Sequence, residues 1–182
     1  MGAIKVHEFT TVDGVVDAPL WTVDYGFPDD LAAAVGALTA SSSGVLLGRT
    51  TFEMFAPAWS TRTVEEDPGA PFFNDTTKYV VSSTLSDAES VWRNSQVLGG
   101  YDADRIRALK DEVDGDLYVS GSATLVRALL SDGLVDELHL FVYPLAVGTG
   151  IRLFPEGTAQ KLALTGAQSL SNGVAHLTYA AG

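Results

Sequence analysis

Three segments of this chain end an apolar, strand-like run on glycine, serine or threonine: VLLGRTT (45–51), YVVSST (79–84) and LYVSGSAT (117–124). Small residues let a ligand approach the backbone, and hydroxyls together with the free N–H groups of a helix start hold anionic oxygens. Arg49, directly after Gly48, adds a planar, permanently charged fork suited to phosphate. Strand ends also favour turn-forming residues for reasons unrelated to ligands, so each segment alone is ambiguous. Taken together they point to a nucleotide-type ligand, because the carboxyl ends of neighbouring parallel strands share the edge where ligands bind.

The elements that must position these residues alternate along the chain. Residues 4–12 read as a strand ending at the Asp13-Gly14 turn, followed by an irregular stretch to Pro28 that carries Trp21, Tyr25 and Phe27. Asp29 and Asp30 are placed to cap a helix over LAAAVGALTA; VLL then reads as a buried strand and TTFEMF as the start of a helix. Residues 56–77, rich in proline, glycine and charge, read as a surface excursion. Strands in KYVVSS and VWRNSQVL lead to a helix opening on Asp102, a strand in DLYVS, a helix ending at Gly133, and a longer strand in ELHLFVYPL. Ser171-Asn172-Gly173 marks a closing hairpin. The pattern predicts an α/β fold with a mostly parallel sheet and an antiparallel edge. It is most simply one domain over residues 1–182.

Apolar residues make up 46% of the chain and charged residues 19%, which is globular composition. A formal charge of −12 argues against nucleic-acid partners, since a phosphate backbone needs a basic surface. It leaves room for one anion held by local cations and N–H groups within a Debye length of about 8–10 Å. There is no cysteine, which excludes disulfides and thiolate chemistry, and no apolar run of membrane-spanning length. The opening MGAIKVHEFT lacks the apolar core of a secretion signal, so the cytoplasm is the expected compartment. His7, His139 and His176 fall in separate strand-like segments at no metal-ligand spacing, and no metal is expected.

TVDG, LLGRTTFEMF, KYVVSSTL and VSGSATLVRALLSDGLVDELHLFVYPLAVGTGIRLF, in that order, resemble the dihydrofolate reductase-like superfamily. Within it the chain resembles the C-terminal reductase domain of the bacterial riboflavin-biosynthesis deaminase-reductase, over residues 4 to 180, without the deaminase half. The resemblance implies a three-layer α/β/α fold that binds NADPH across the carboxyl edge of its sheet. It implies that Gly48, Arg49 and Thr50 hold phosphates at a helix start, with Thr51 a further hydroxyl. Ser82 and Ser83 correspond to the strand end near the adenosine 2′-phosphate, with Arg49 as its cation. Gly121 and Ser122 correspond to a glycine pair beside the pyrophosphate and nicotinamide, and the serine departs from that pattern.

For the substrate pocket, Asp13 matches the family's aspartate–glycine after the first strand, though an ordinary turn aspartate looks the same. Asp30 matches an acidic position that contacts a pteridine, and a helix cap explains it equally. Trp21, Tyr25 and Trp59 are candidates to stack on a flat heterocycle or to anchor their loops, and Gly148 and Gly150 are candidates to line the pocket's far end. The expected function is an NADPH-dependent reductase of a small heterocycle, and the expected assembly is a homodimer; ELHLFVYPL is apolar enough to contribute to it, and helix–sheet burial explains that strand equally. The alternative is a non-catalytic protein of the same fold that binds a nucleotide or planar compound.

Overall fold

In the computed structural model, which describes residues 2–17, 19–157 and 159–181, eight strands form one sheet in the order β4-β3-β2-β5-β1-β6-β8-β7. Met1 and Gly182, the ends of the expected domain, lie outside the described residues. The strands are β1 (Ile4–Thr11), β2 (Ser42–Gly48), β3 (Thr77–Val81), β4 (Ser95–Gly99), β5 (Asp116–Val119), β6 (Glu137–Tyr143), β7 (Leu162–Ser169) and β8 (Ala175–Ala181). The first six run parallel, and β8 and β7 complete the sheet antiparallel. This is the expected α/β architecture, with the antiparallel edge made by the Ser171-Asn172-Gly173 hairpin.

Period-two alternation divides the core into two layers. Ile4, Val6, Leu46, Leu117, Val119 and Leu138 face α4 (Ala103–Glu112) and α5 (Ala123–Ser131). Val45, Leu47, Val80, Tyr118, Phe141 and Tyr143 face α1 (Asp29–Ala40) and α2 (Arg49–Trp59). Right-handed crossovers put the helices there, because connections that advance in opposite directions must cross opposite faces. In α5 the buried Leu125, Val126, Leu129 and Leu130 form one stripe, and Asp102 caps α4 by accepting from Asp104 and Arg105 N–H.

Several local expectations are corrected. Pro28, not an aspartate, precedes α1, so Asp29 and Asp30 lie in its first turn. Helix α2 runs through Pro57 to Trp59, where the composition predicted an excursion. Its last turn is held by Ser60 N–H donating to Ala56, and by Trp59 packing 4.3 Å from the ring of Phe73. The excursion contains a further helix, α3 (Ala70–Asp75), and the loop before Pro28 contains a 3-10 turn over Leu20–Tyr25. Strand β6 pairs with β1 on one side and β8 on the other, so ELHLFVYPL is interior and has no free edge for a second copy. Among the described residues no helix is long and apolar enough to cross a membrane.

The α3 region is tied down by Lys78, which has no exposed surface. Its Nζ donates to the carbonyls of Phe73 (2.8 Å), Asn74 (3.3 Å) and Thr76 (2.9 Å) and lies 4.6 Å from the Trp92 ring. Burial pushes its pKa down to about 8, so the ammonium form still prevails at neutral pH. Lys78→Met keeps the stem and strands these carbonyls, and should destabilise the fold by about 2–4 kcal/mol. Urea unfolding checks this, and a change below about 0.5 kcal/mol would show that the carbonyls find other partners.

Candidate functional site

The strands on either side of β5 send their connections to one face of the sheet, and β5 sends its own to the other. Chains that part in this way leave crevices at the carboxyl edge. In the β2/β5 crevice and beside β3 lies a cleft of about 440 Å³. Its lining includes Gly48, Arg49, Thr50, Ser82, Ser83 and Ser122, so six of the eight expected cofactor residues share one surface. Gly100 and Tyr101 of the turn after β4, with Leu125 and Ala128 of α5, close the cleft, and none of these four stood out in the sequence. Tyr101, whose hydroxyl donates to Asp132, supplies an aromatic wall. It follows a strand ending in two glycines, the same signal that marked the other strand ends.

Backbone proximity explains the two glycines. A Cβ on Gly48 would lie 3.2 Å from both Cβ and N of Ser122, and nearer still to its hydroxyl. The turn into α5 places Gly121 at φ +84°, and the Gly121–Ser122 peptide is cis. Ser122 itself has φ −73° and ψ 160°, which any L-residue adopts. The departure from a glycine pair is therefore harmless: only the first position needs a left-handed backbone.

Arg49 opens α2 at the lip of the cleft, half exposed, with Glu53 of its own helix at 3.5 Å. Thr50 is exposed beside it. Thr51 is buried under Gly121 and does not line the cleft. Ser82 turns its hydroxyl back to accept from the N–H groups of Thr84 and Leu85, while Ser83 beside it is exposed at the rim.

The two expected acids are engaged elsewhere. Asp13 accepts from the Thr11 hydroxyl and from Gly148 (2.8 Å) and Val147 (3.3 Å) N–H, and these bonds hold its carboxyl below the usual range. It clasps the loop after β1 to the loop after β6. Asp17 continues the clasp through Ile151 N–H, and a Cβ on Gly150 would strike Asp17 and Val15. Gly148 and Gly150 thus serve the clasp at the carboxyl edge. Asp30 accepts from Ser171 N–H (2.7 Å) and hydroxyl (2.9 Å), which lowers its pKa and pins the β7–β8 turn to α1.

Trp21 and Tyr25 pack edge-on against Tyr143, at 5.0 and 5.4 Å between ring centroids. Trp59 is not with them. Its carbonyl accepts from Asn74 at the end of α3, which leads into the first residue of β3, so Trp59 belongs to the amino edge.

The histidines that spacing separated meet on adjacent strands. His7 pairs in register with His139, and His139 Nδ1 lies 3.0 Å from His176 Nε2 and its Nε2 2.9 Å from Glu137. Among the described residues no group of three such side chains is arranged to hold a metal.

His7 and Glu8 are consecutive on β1 and face opposite layers. Burial pushes His7 down to about 3, with His139 and His176 adding to it, while burial pushes Glu8 up to about 8. Between pH 3 and 6.5 the unfolded chain binds more protons at His7, so stability falls as pH drops through that window. Glu8 acts oppositely: its contribution is full below pH 4.5 and is lost as pH rises to about 8. Above pH 6.5 Glu8 carries the decline, at up to about 1.4 kcal/mol per pH unit, until Lys78, lowered to about 8, opposes it as the pH approaches 8. Glu8→Gln should flatten the decline between pH 6.5 and 8 in urea midpoints; a variant as steep as the parent would assign that titration to another group.

The family model described as the RibD C-terminal domain matches residues 3–176. The chain is 25% identical over 177 residues to the uncharacterised protein YyaP of Bacillus subtilis (strain 168), covering 93% of this chain and 89% of that one. Its fold is similar to that of a putative riboflavin biosynthesis protein from Shewanella sp. PV-4, at TM-score 0.80 and 20% identity with 99% of each chain covered. It is also similar in fold to a dihydrofolate reductase from Enterococcus faecalis complexed with NADP(H) and RAB-propyl. That match has TM-score 0.62 and 17% identity, covering 100% of this chain and 97% of that one.

Proposed function

This chain belongs to the RibD C-terminal domain family, and from that premise we propose that it is an NADPH-dependent reductase of a small heterocycle bearing a C=N or C=O bond. The observation that carries the reading is the convergence of three strand ends on one cleft of about 440 Å³, within the usual range for small-molecule sites. The residues present fit the cofactor. Arg49 and Ser83 offer a cation and a hydroxyl to a 2′-phosphate, which NADPH has and NADH lacks. The N–H groups at the starts of α2 and α5, with Thr50, Ser122 and Thr124, suit the pyrophosphate. Tyr101, Leu125 and Ala128 give the adenine an apolar wall.

Bound there, the reduced nicotinamide supplies the hydride. The chain's part is to hold the cofactor at the strand edge and to set the substrate against it. Trp21 and Tyr25, packed on Tyr143 beside the Asp13 clasp, offer flat apolar surface to a heterocycle. Asp13 and Asp30 are both held as carboxylates, so neither supplies a proton at neutral pH. That is also the one observation favouring a non-catalytic binding protein. The reading includes a homodimer, for which β7, the more exposed of the sheet's two edge strands, is the better placed.

Titration with NADPH, followed by nicotinamide fluorescence, tests binding; loss of nicotinamide absorbance with a panel of pterins and pyrimidines tests turnover. Binding with turnover supports the reductase. Binding without turnover on the panel favours the second reading, and no binding removes both.

A further inference from the structure

Glu8 is a carboxyl side chain without an assigned task in the middle of the sheet. It sits on β1 between β5 and β6, on the face of Ile4 and Val6, and is only 7% exposed. Its Oε1 is enclosed with no hydrogen-bond partner among the described residues. An enclosed polar atom of this kind costs about 1–3 kcal/mol unless something satisfies it. The turn that opens α5 lies beside it: a Cβ on Gly121 would be 3.8 Å from Glu8 Oε1 and 2.9 Å from Thr51 Oγ1. Because Gly121 has no side chain, none stands between the carboxyl and that turn. Glu8 therefore lies beside Gly121, the residue next to Ser122, which lines the cleft.

We infer that Glu8, in its protonated form, reads an amide at the reacting end of the site. It donates its O–H to the amide carbonyl and accepts from the amide N–H. This rests on the NADPH reading above. A neutral carboxyl carries one donor and one acceptor side by side, which is the complement of a primary carboxamide or a lactam. An ionised carboxylate has no donor and faces the carbonyl with like partial charge. The charged groups on the elements packed round Glu8 are committed elsewhere. Arg49 of α2 pairs with Glu53, Arg127 of α5 donates to the carbonyls of Leu153 and Arg152, and Asp17 accepts from Ile151. Tyr118 of β5 turns its hydroxyl to His7 on the opposite face, and burial holds it neutral by raising its pKa. Among the described residues no cation acts on Glu8, and burial keeps it protonated up to about pH 8.

Two ligands carry such an amide: the nicotinamide carboxamide of the cofactor, and the lactam of a pterin or pyrimidine substrate. Calorimetric binding of NADPH and of 2′-phospho-ADP-ribose, which lacks the nicotinamide, separates them. The measurements are made on the parent chain, Glu8→Gln and Glu8→Leu, at about pH 6.5 and about pH 9. If the carboxamide is read, the advantage of NADPH over the fragment shrinks about tenfold in the parent at the higher pH. It is kept and pH-independent in Glu8→Gln, whose side-chain amide also donates and accepts, and it is lost at both pH values in Glu8→Leu. If the lactam is read, the NADPH advantage stays constant and pterin binding to the NADP-loaded chain shows that same pattern. Insensitivity of both increments to pH and to leucine overturns the inference while leaving the cofactor site standing. Failure of the fragment itself to bind overturns the cofactor reading and the inference together.

Discussion

Gly48→Val should weaken NADPH binding by about a hundredfold or more while the chain still folds. Gly48 ends β2 with φ −75° and ψ 156°, a backbone open to any residue, so the substitution does not strain the turn itself. The conflict is lateral. The first carbon added would press on Cβ and N of Ser122, at 3.2 Å from each, and harder still on its hydroxyl, and valine adds two methyls beyond it. Overpacking of this kind costs about 1–3 kcal/mol and is relieved by movement of whatever is softest. Here that is the Gly121–Ser122 turn, whose displacement moves the N-terminal N–H groups of α5 and narrows the cleft between β2 and β5. Gly48→Ala should show the same loss in smaller degree. Fluorescence titration alongside a thermal melt checks both variants. Affinity within about threefold of the parent for Gly48→Val would mean that the dinucleotide does not pass between Gly48 and Ser122.

Arg49→Ala should cost NADPH about 1.5–3 kcal/mol of binding, roughly tenfold to a hundredfold, and NADH less than about threefold. Arg49 already stands half exposed at the cleft lip, and its partner Glu53 is a solvent-exposed i, i+4 pair worth a few tenths of a kcal/mol. A phosphate dianion competes with that carboxylate easily, so little binding energy is lost in releasing the side chain. The difference between the two cofactors isolates the 2′-phosphate, since everything else about them is the same. Equal losses for both would move Arg49 from the 2′-phosphate to the pyrophosphate. The effect should also weaken with salt, because salt screens the half-exposed Arg49 guanidinium from the phosphate.

The strand ends that bind were legible in the sequence because each declared itself locally, by glycine and hydroxyls after an apolar run. The topology needed only the alternation of strand and helix patterns and one hairpin turn. What escaped detection was depth and adjacency. The alternation in IKVHEFTT puts Glu8 on the face of Ile4 and Val6, a charged residue in apolar phase, and that was the signal available for it. Period two gives a side chain its face, but whether a helix covers that face is decided by residues far along the chain. The three histidines converge because β1, β6 and β8 are neighbours, which spacing along the chain does not reveal. Asp13 and Asp30 looked available because their partners, Gly148 and Ser171, lie more than a hundred residues away. Trp59 lies apart from Trp21 and Tyr25 because helix α2, which carries it, runs on through Pro57 to the level of α3. The apolar β6 suited a subunit contact and a buried strand equally, and β8, by taking its second edge, makes it interior.

The central claim is that the three strand ends form one NADPH site with Arg49 at the 2′-phosphate. A crystal structure of the chain with NADPH bound tests it most directly. The 2′-phosphate should lie within hydrogen-bond distance of the Arg49 guanidinium and the Ser83 hydroxyl, the pyrophosphate between Gly48 and Ser122, and the nicotinamide turned toward Gly121 and Glu8. A dinucleotide bound elsewhere, or lying in the cleft with its adenosine end away from Arg49, would contradict it.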